Sequence, residues 1–376
     1  MHAPFQPTVR AEWRRLAGLG DIIEEWRKLA GRAREPNVFY EPAFALTAAP
    51  VFGADAGAVL VWSERNLIGL FPMRTERRGP LTRLAGWTHP FAPLGTPLVD
   101  REHADAAISA FLDHLAADRA LPPLLLLRLF PDDGPLAAAL DRALSDRDYA
   151  QASFNSHRRA LLAPGAERTG YLDRAMPPRK RKELRRQRRR LEESAPLAFS
   201  SADTWPGIQV ALQDFVELEA SGWKGAAGTA ASDDPAVLEF FRTAIVDLAA
   251  EGHARVDRLT HGDRVIAAAV TLTSGNTAWF WKIAYSEDLA RSSPGVQLVM
   301  DCTERLLAEG GPARVDSCAA ADHPMIDHIW RERLTLSDRL IAVRRPPLPF
   351  ALVCRAEALE RAAIAAAKTV RNRLRG

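Results

Sequence analysis

Residues Arg291, Ser292, Ser293, Pro294, Gly295 and Val296 stand between an aromatic strand pattern, TAWFWKIAY, and an amphipathic run whose inner face takes in Val296, Val299, Cys302 and Leu306. A strand, a tight loop and a helix start make a good setting for an anion. Serine 293 is of a type that caps helices, Pro294 suits the first helical position, and Gly295 puts no side chain between a ligand and the backbone. Free amide groups and the helix dipole then favour a phosphate or pyrophosphate. Residues 291–296 are the expected cofactor-binding segment. The plainer reading is that Ser-Pro-Gly merely starts a helix.

Four other places carry chemistry. The glycine-rich stretch Ser221 to Ala230 holds Trp223, a flat apolar surface, beside the cation Lys224, and loops of this kind often reach substrate. In the strand TAWFWKIAY, Trp279 and Trp281 alternate with Phe280 and Lys282, so Lys282 and Tyr285 are expected to border a pocket. A base that takes a proton from an attacking amine or hydroxyl has two candidates, Asp316 at the end of the strand RVDSC and His323 at the next helix start. Cys318 has no histidine and third group arranged to make it a nucleophile. His323 and Asp327 are four apart but lack a further ligand, so no metal is expected.

The run Arg179 to Arg190 has nine basic residues in twelve, with Leu184 and Leu191 a heptad apart and Pro177-Pro178 before it. It reads as a helix with mostly solvated sides. Such charge binds a polyanion: tRNA, an anionic membrane surface or a phosphorylated glycan carrier. The alternative is a solvated linking helix whose cations are balanced by Glu183, Glu192 and Glu193. No aromatic residue interleaves, which argues against base stacking, and no DNA partner is expected.

The elements that must hold these residues recur. A helix over Asp21–Arg32 and one starting near Pro42 precede two strands around Glu64-Arg65-Asn66, a third strand at Leu81–Trp87, a helix at His103–Ala117, a strand at Leu124–Phe130 and a helix at Pro135–Leu144. The second half repeats this: helices Trp205–Ala220 and Pro235–Ala250, a hairpin around His261-Gly262-Asp263, a strand at Thr277–Tyr285, a helix at Pro294–Ala308, a strand at Arg314–Cys318 and a helix at His323–Arg331. At four matched points, in the second helix, the two hairpin strands and the fourth strand, the offset is 189 to 198 residues. The pattern predicts an α/β (α+β) fold of two tandem units, each a mixed, mostly antiparallel sheet covered by helices. The boundaries expected are 1–150 for a structural unit and 151–347 for a catalytic one that includes the basic helix 179–193. A last helix over 348–376 lies outside both, its Lys368, Arg371, Arg373 and Arg375 complementing the helix C-terminus.

Composition narrows the class. The 376 residues exceed what one core usually organises, and 47% hydrophobic with 26% charged residues is the balance of a folded chain. A net charge of +3 leaves any basic site local. Three cysteines without metal-ligand spacing fit a reducing compartment, and the N-terminal MHAPFQPTVRAEWRRL has charges where a signal peptide is apolar, so a cytoplasmic location is expected.

On the duplicated unit, the basic helix RKRKELRRQRRRLEE, the loop SGWKGAAGTA, the strand WFWKIAY and the RSSPGV helix start, the chain resembles the GNAT acyltransferase superfamily over roughly residues 10 to 345. The likeness is to the double-GNAT branch, with CelD-like proteins of polysaccharide biosynthesis loci and, more distantly, Fem-type aminoacyl transferases. It implies acyl transfer from acyl-CoA, first of all acetyl-CoA, to an amine or hydroxyl of a small-molecule or glycan acceptor. It also implies that the second unit is catalytic and that the pyrophosphate sits at the RSSPGV helix start. The superfamily loop is Q/R-x-x-G-x-G/A, whereas here Arg291 and Gly295 are four apart and Val296 follows. Fem-type relatives instead use aminoacyl-tRNA. A non-catalytic scaffold in a polysaccharide assembly is the third reading.

Overall fold

A computed structural model describes residues 8–375 except 80, 223, 224, 226, 227, 309 and 310, with the backbone alone at 368, 369 and 371–375. The chain divides into two compact units, each built from separated stretches. Residues up to Leu19, Asp55–Ser156 and Leu336–Gly376 form the first; Gly20–Ala54 and His157–Thr335 form the second. Helices α1 (Ile23–Gly31) and α2 (Pro42–Phe52) thus precede most of the first unit in sequence yet pack in the second. The cause is apolar: Phe44 and Phe52 of α2 meet Phe240 edge-on, with ring centres 5.4 and 5.2 Å apart.

The first unit contains β1 (Val9–Arg15), β2 (Gly57–Ser63), β3 (Asn66–Arg78), β4 (Leu81–Gly86), β5 (Leu98–Val99), α3 (Ala104–Ala117), β6 (Leu124–Pro131) and α4 (Pro135–Ser145). It also takes the residues from Leu336 onward of β13 (Glu332–Ala342), and α10 (Phe350–Arg375). Its sheet runs β1-β2-β3-β4-β6-β13, with β5 beside β3. Every neighbour on that path is antiparallel except the parallel pair β4 and β6. Both α3 and α4 cover one face, where the rings of Phe71 and Phe111 stack 3.9 Å apart. The opposite face buries Val353 of α10 against Ala85, Leu124, Leu126 and Leu340.

The second unit contains β7 (Gln151–Leu162) from His157 on, α5 (Tyr171–Ala175), α6 (Pro178–Ser194), β8 (Leu197–Ala202), α7 (Trp205–Ser221) and α8 (Pro235–Ala250). After these come β9 (Ala254–His261), β10 (Arg264–Ser274), β11 (Thr277–Tyr285), α9 (Pro294–Ala308) and β12 (Arg314–Asp316). Its order is β8-β9-β10-β11-β12-β7. The senses repeat those of the first unit step for step, with β11 and β12 the parallel pair. Duplication of one unit, expected from spacing alone, is therefore present in the strand topology.

Two expected elements differ. The helix over His323–Arg331 is only a 3-10 turn at Ile326–His328, because Asp322 is left-handed (φ 56°), Pro324 follows at once, and Ile329 and Trp330 turn into the core. The final helix is not outside both units: its first turns are part of the first unit's core.

Candidate functional site

Strands β11 and β12 pair over only three residues, Thr277 with Arg314, Ala278 with Val315 and Trp279 with Asp316. Beyond this β12 turns away: the Ser317 N–H donates to Ala160 O at 3.2 Å, and Cys318 takes a left-handed conformation (φ 53°). Strand β11 continues to Tyr285 and, among the described residues, has no strand partner on that side. A parallel pair that splays leaves a row of backbone donors and acceptors free for a ligand to extend the sheet.

A bulge shapes the exposed stretch. Val270 pairs with Lys282 but Thr271 pairs with Phe280, so Trp281 is the extra residue. The expected strict alternation therefore fails. Phe280, Ile283 and Tyr285 all pack toward the α9 core, and the Lys282 ammonium lies 5.7 Å from the centre of the Trp281 ring. Trp279 is 1% exposed, and its indole Nε1–H has no hydrogen-bond partner among the described residues. An orphaned buried donor costs about 1–3 kcal/mol, and it stands where the strands begin to part.

Asp316 is also at that point, but not as a free base. Its carboxylate is buried against the Arg159 guanidinium of β7, both side chains being 3% exposed or less, and it accepts the Cys318 N–H at 3.0 Å. Held by a buried cation, it acts as a positioning anion. Burial pushes the Cys318 thiol well above its ordinary range, Asp316 adding to the effect while Arg159 and Lys282 oppose it. That thiol is no nucleophile at neutral pH. Asp316, Arg159, Cys318 and Lys282 therefore share one electrostatic neighbourhood. Arg159 was beyond sequence reasoning: its partner is 157 residues away, and HRR in a strand reads as a solvated edge. His323 is half-buried on its turn, its Nδ1 accepting the Met325 N–H at 3.3 Å. No contact brings it to Asp316 among the described residues.

The helix start lies at the end of β11. Ser293 is left-handed (φ 52°, ψ 53°), its carbonyl accepting the Gln297 N–H at 3.0 Å, and Pro294 opens α9. The preceding turn, Glu287–Ser292, is held by Arg264, which donates to Asp288 at 2.7 and 3.0 Å and to Ser286 Oγ at 2.6 Å. The Arg264 hydrogen bonds, with one from Ser286, hold the Asp288 carboxyl down at about 2. Arg291 is exposed and unpaired among the described residues, Ser292 and Val296 are half-buried, and Val296 packs on the α9 core.

Gly295 has a different reason from the one expected. It is buried, and a Cβ there would stand 2.8 Å from Cδ1 of Tyr285, so the missing side chain makes room for that ring. The anion reading at this helix start rests on the backbone amides and Arg291 instead.

The loop after α7 reaches the same end of the sheet, since a Cβ at Gly222 would lie 3.8 Å from the Tyr285 carbonyl oxygen. Trp223 and Lys224 themselves lie outside the described residues. Helix α6 packs beside α9 through buried Leu184 and Leu191, and the Leu184 carbonyl accepts the Gln297 side-chain N–H at 3.0 Å. Of its cations, Arg181 pairs with Asp173, Arg186 with Glu183, and Arg188 with Asp301 and Glu192. Arg179, Lys180, Lys182, Arg185 and Arg189 are exposed and unpaired among the described residues. The helix is therefore docked rather than a free linker, with part of its charge committed.

Glu41, Glu251 and His253 bring three ligand atoms within 4.8 Å of one another. Arg27 already donates to Glu251 at 3.0 Å and the His253 Nδ1 is 3.0 Å from Glu41 Oε2, so the group closes on itself as an ion network. Among the described residues no helix is long and apolar enough to cross a membrane.

Residues 178–323 match the family model described as "Acetyltransferase (GNAT) domain". Among solved structures the chain is similar to FemX, at 9% identity and a TM-score of 0.55, over 89% of this chain and 97% of that one. It is also similar to the C-terminal DUF2156 domain of a protein from Agrobacterium fabrum assigned as a lysylphosphatidylglycerol synthetase, at 14% identity and 0.54, over 92% and 96%. A protein of unknown function from Bacteroides thetaiotaomicron follows at 10% and 0.53, over 86% and 97%. No curated protein matches by sequence. At such identities the structures speak for fold alone, while the family match falls on the unit that holds the splay and the helix start. Residues 178–323 of the second unit thus match a GNAT acetyltransferase domain, and the chain as a whole shares the fold of these structures, FemX among them.

Proposed function

We propose that the second unit transfers an acyl group from acyl-CoA, acetyl-CoA first, to an amine or hydroxyl of a small-molecule or glycan acceptor. A place in polysaccharide or envelope building and a cytoplasmic location belong to the same proposal. The observation that carries it is the free edge of β11 leading from Trp279 to the α9 start. In this reading the β11 backbone lines the donor's amide-bearing arm, while the first amides of α9 and Arg291 meet its pyrophosphate. Lys282, beside the splay, faces the charge that develops at the reacting carbonyl. Asp316 and Arg159 keep the gap in shape. A water or His323 receives the acceptor's proton, and no metal is called for.

The unpaired cations of α6 favour a second reading, a Fem-like transferase fed by aminoacyl-tRNA, and a third source of polyanion is an anionic membrane surface or a phosphorylated carrier. A thermal-shift series separates them: acetyl-CoA or a longer acyl-CoA at about 100 Kd should stabilise the chain by about 2.7 kcal/mol. Stabilisation by charged tRNA alone would replace the first reading with the second. Changing Arg179, Lys182, Arg185 and Arg189 to glutamine should weaken only polyanion binding, and salt should weaken the parent in the same way.

A further inference from the structure

The first turns of helix α10 are tied to the first unit. Val353 is buried, Glu357 pairs with Arg83, and Arg361 donates to Asp338 at 2.6 Å and to Glu357 at 2.7 Å. Past Arg361 every side chain described is exposed, through 367 and again at 370. The helix continues to Arg375, about 20 Å past Arg361. Large apolar side chains lie bare along it: Leu352 is 46% exposed, Leu359 72%, Ile364 57% and Val370 56%. Leu352, Ala356, Leu359, Ala363, Ala366 and Val370 follow one another at four, three, four, three and four residues, which sets them in one stripe.

The charge along the same helix is one-sided. After Glu360 it carries Arg361, Lys368, Arg371, Arg373 and Arg375 and no acid. Its two acids are engaged, Glu357 as above and Glu360 with Arg78 at 3.5 Å. A parallel second copy would bring five cations against five. An antiparallel copy would set them against a segment whose acids already have partners. An apolar stripe with only cations toward its end is complementary to a surface of acyl chains under anionic headgroups. Spanning is excluded, since no 18-residue window of the described helix is apolar enough.

We propose that α10 docks this protein on an anionic lipid surface, lying in the interface through the stripe of Leu359, Ala363 and Val370 with the basic end against the headgroups. The proposal is independent of the acyl-transfer reading. Cosedimentation of the full chain with vesicles tests it. The parent should bind phosphatidylcholine vesicles containing about 30% phosphatidylglycerol, bind pure phosphatidylcholine at least about tenfold less, and lose binding in about 0.5 M salt. The exposed-site variant Leu359→Ser/Ala363→Ser/Val370→Ser should bind at least about tenfold less with an unchanged melting temperature. The variant with Arg179, Lys182, Arg185 and Arg189 changed to glutamine should lose far less vesicle binding than the triple-serine variant. Absence of binding to anionic vesicles, binding kept by the triple-serine variant, or binding lost only in the α6 variant each overturns the proposal. So does a dimer in sedimentation velocity that the triple-serine variant dissolves while vesicles are ignored.

Discussion

The two units share one strand topology and differ at the one place where a GNAT fold opens. In the first, β4 and β6 part after Ala85 and Leu126, and the chain between β4 and α3, residues 87–103, fills the gap. Gly95 donates to Leu129 O at 3.2 Å, taking the strand edge for itself, and Trp87 and Leu94 are buried. In the second unit the corresponding connection, residues 286–293, is shorter and ends at the mouth. A duplicated fold has thus been divided into a sealed copy and an open one by the length of a single loop. The polar interior of the sealed copy holds ion pairs, Glu76 with Arg83 and Arg128 among them.

The strongest way to break this contrast is at Asp316. Asp316→Ala leaves Arg159 charged and buried, which should cost about 3–5 kcal/mol in chemical denaturation. If Asp316 instead stands open as a base, stability should hold while activity alone falls. Next come the two glycines. At Gly95 a Cβ would lie 1.9 Å from the Arg128 carbonyl oxygen, so Gly95→Ala should destabilise by about 3 kcal/mol. Gly295→Val meets a ring rather than backbone and should cost about 1–3 kcal/mol, partly regained with Tyr285→Ala, whereas exposed Ala106→Val should stay within about 0.5 kcal/mol. Equal melting temperatures for Gly295→Val and the parent would restore a purely ligand-facing role for that glycine.

The smallest effect near neutral pH is also the one most specific to the sealed unit. Glu76, 8% exposed, is desolvated, yet Arg128, Arg83 and Arg74 draw its carboxyl from 4.5 down to about 2. Its folded value lies below its unfolded one, so this stability is whole above about pH 4.5 and is lost as pH falls toward 2. Glu76→Gln should flatten the acid limb of unfolding followed by circular dichroism. Parallel acid limbs in parent and variant would remove Glu76 from the account.

Much of the architecture was legible because it is periodic. Hairpins, proline-opened helices and the recurrence of the whole series follow from local pattern, and α9 begins at the proline that suggested it. What escaped was long-range. The flanking strands β1, β7, β8 and β13 are short of turn signals, and nothing in the sequence near Phe44 tells that its partner is Phe240. At the site, the position of the Arg291 to Val296 loop was readable, but the bulge at Trp281 redirected Lys282, and the burial of Asp316 depended on an arginine from another strand. The meaning of Gly295 was misread because a missing side chain looks the same whether it makes room for a phosphate or for tyrosine.

The interleaving of the two units also bears on synthesis. Residues 20–54 emerge early but must wait for Phe240 and Trp281 before their aromatic faces are covered, and the first unit lacks the last strand of its sheet until Leu336–Ala342 has been made. The second unit cannot close while the ribosome is still in the first half of the message, and the first unit waits for the strand that ends its sheet. A cut between Ser156 and His157 should therefore yield two fragments with bare apolar surface rather than two domains, and recovering them would require that both be expressed together.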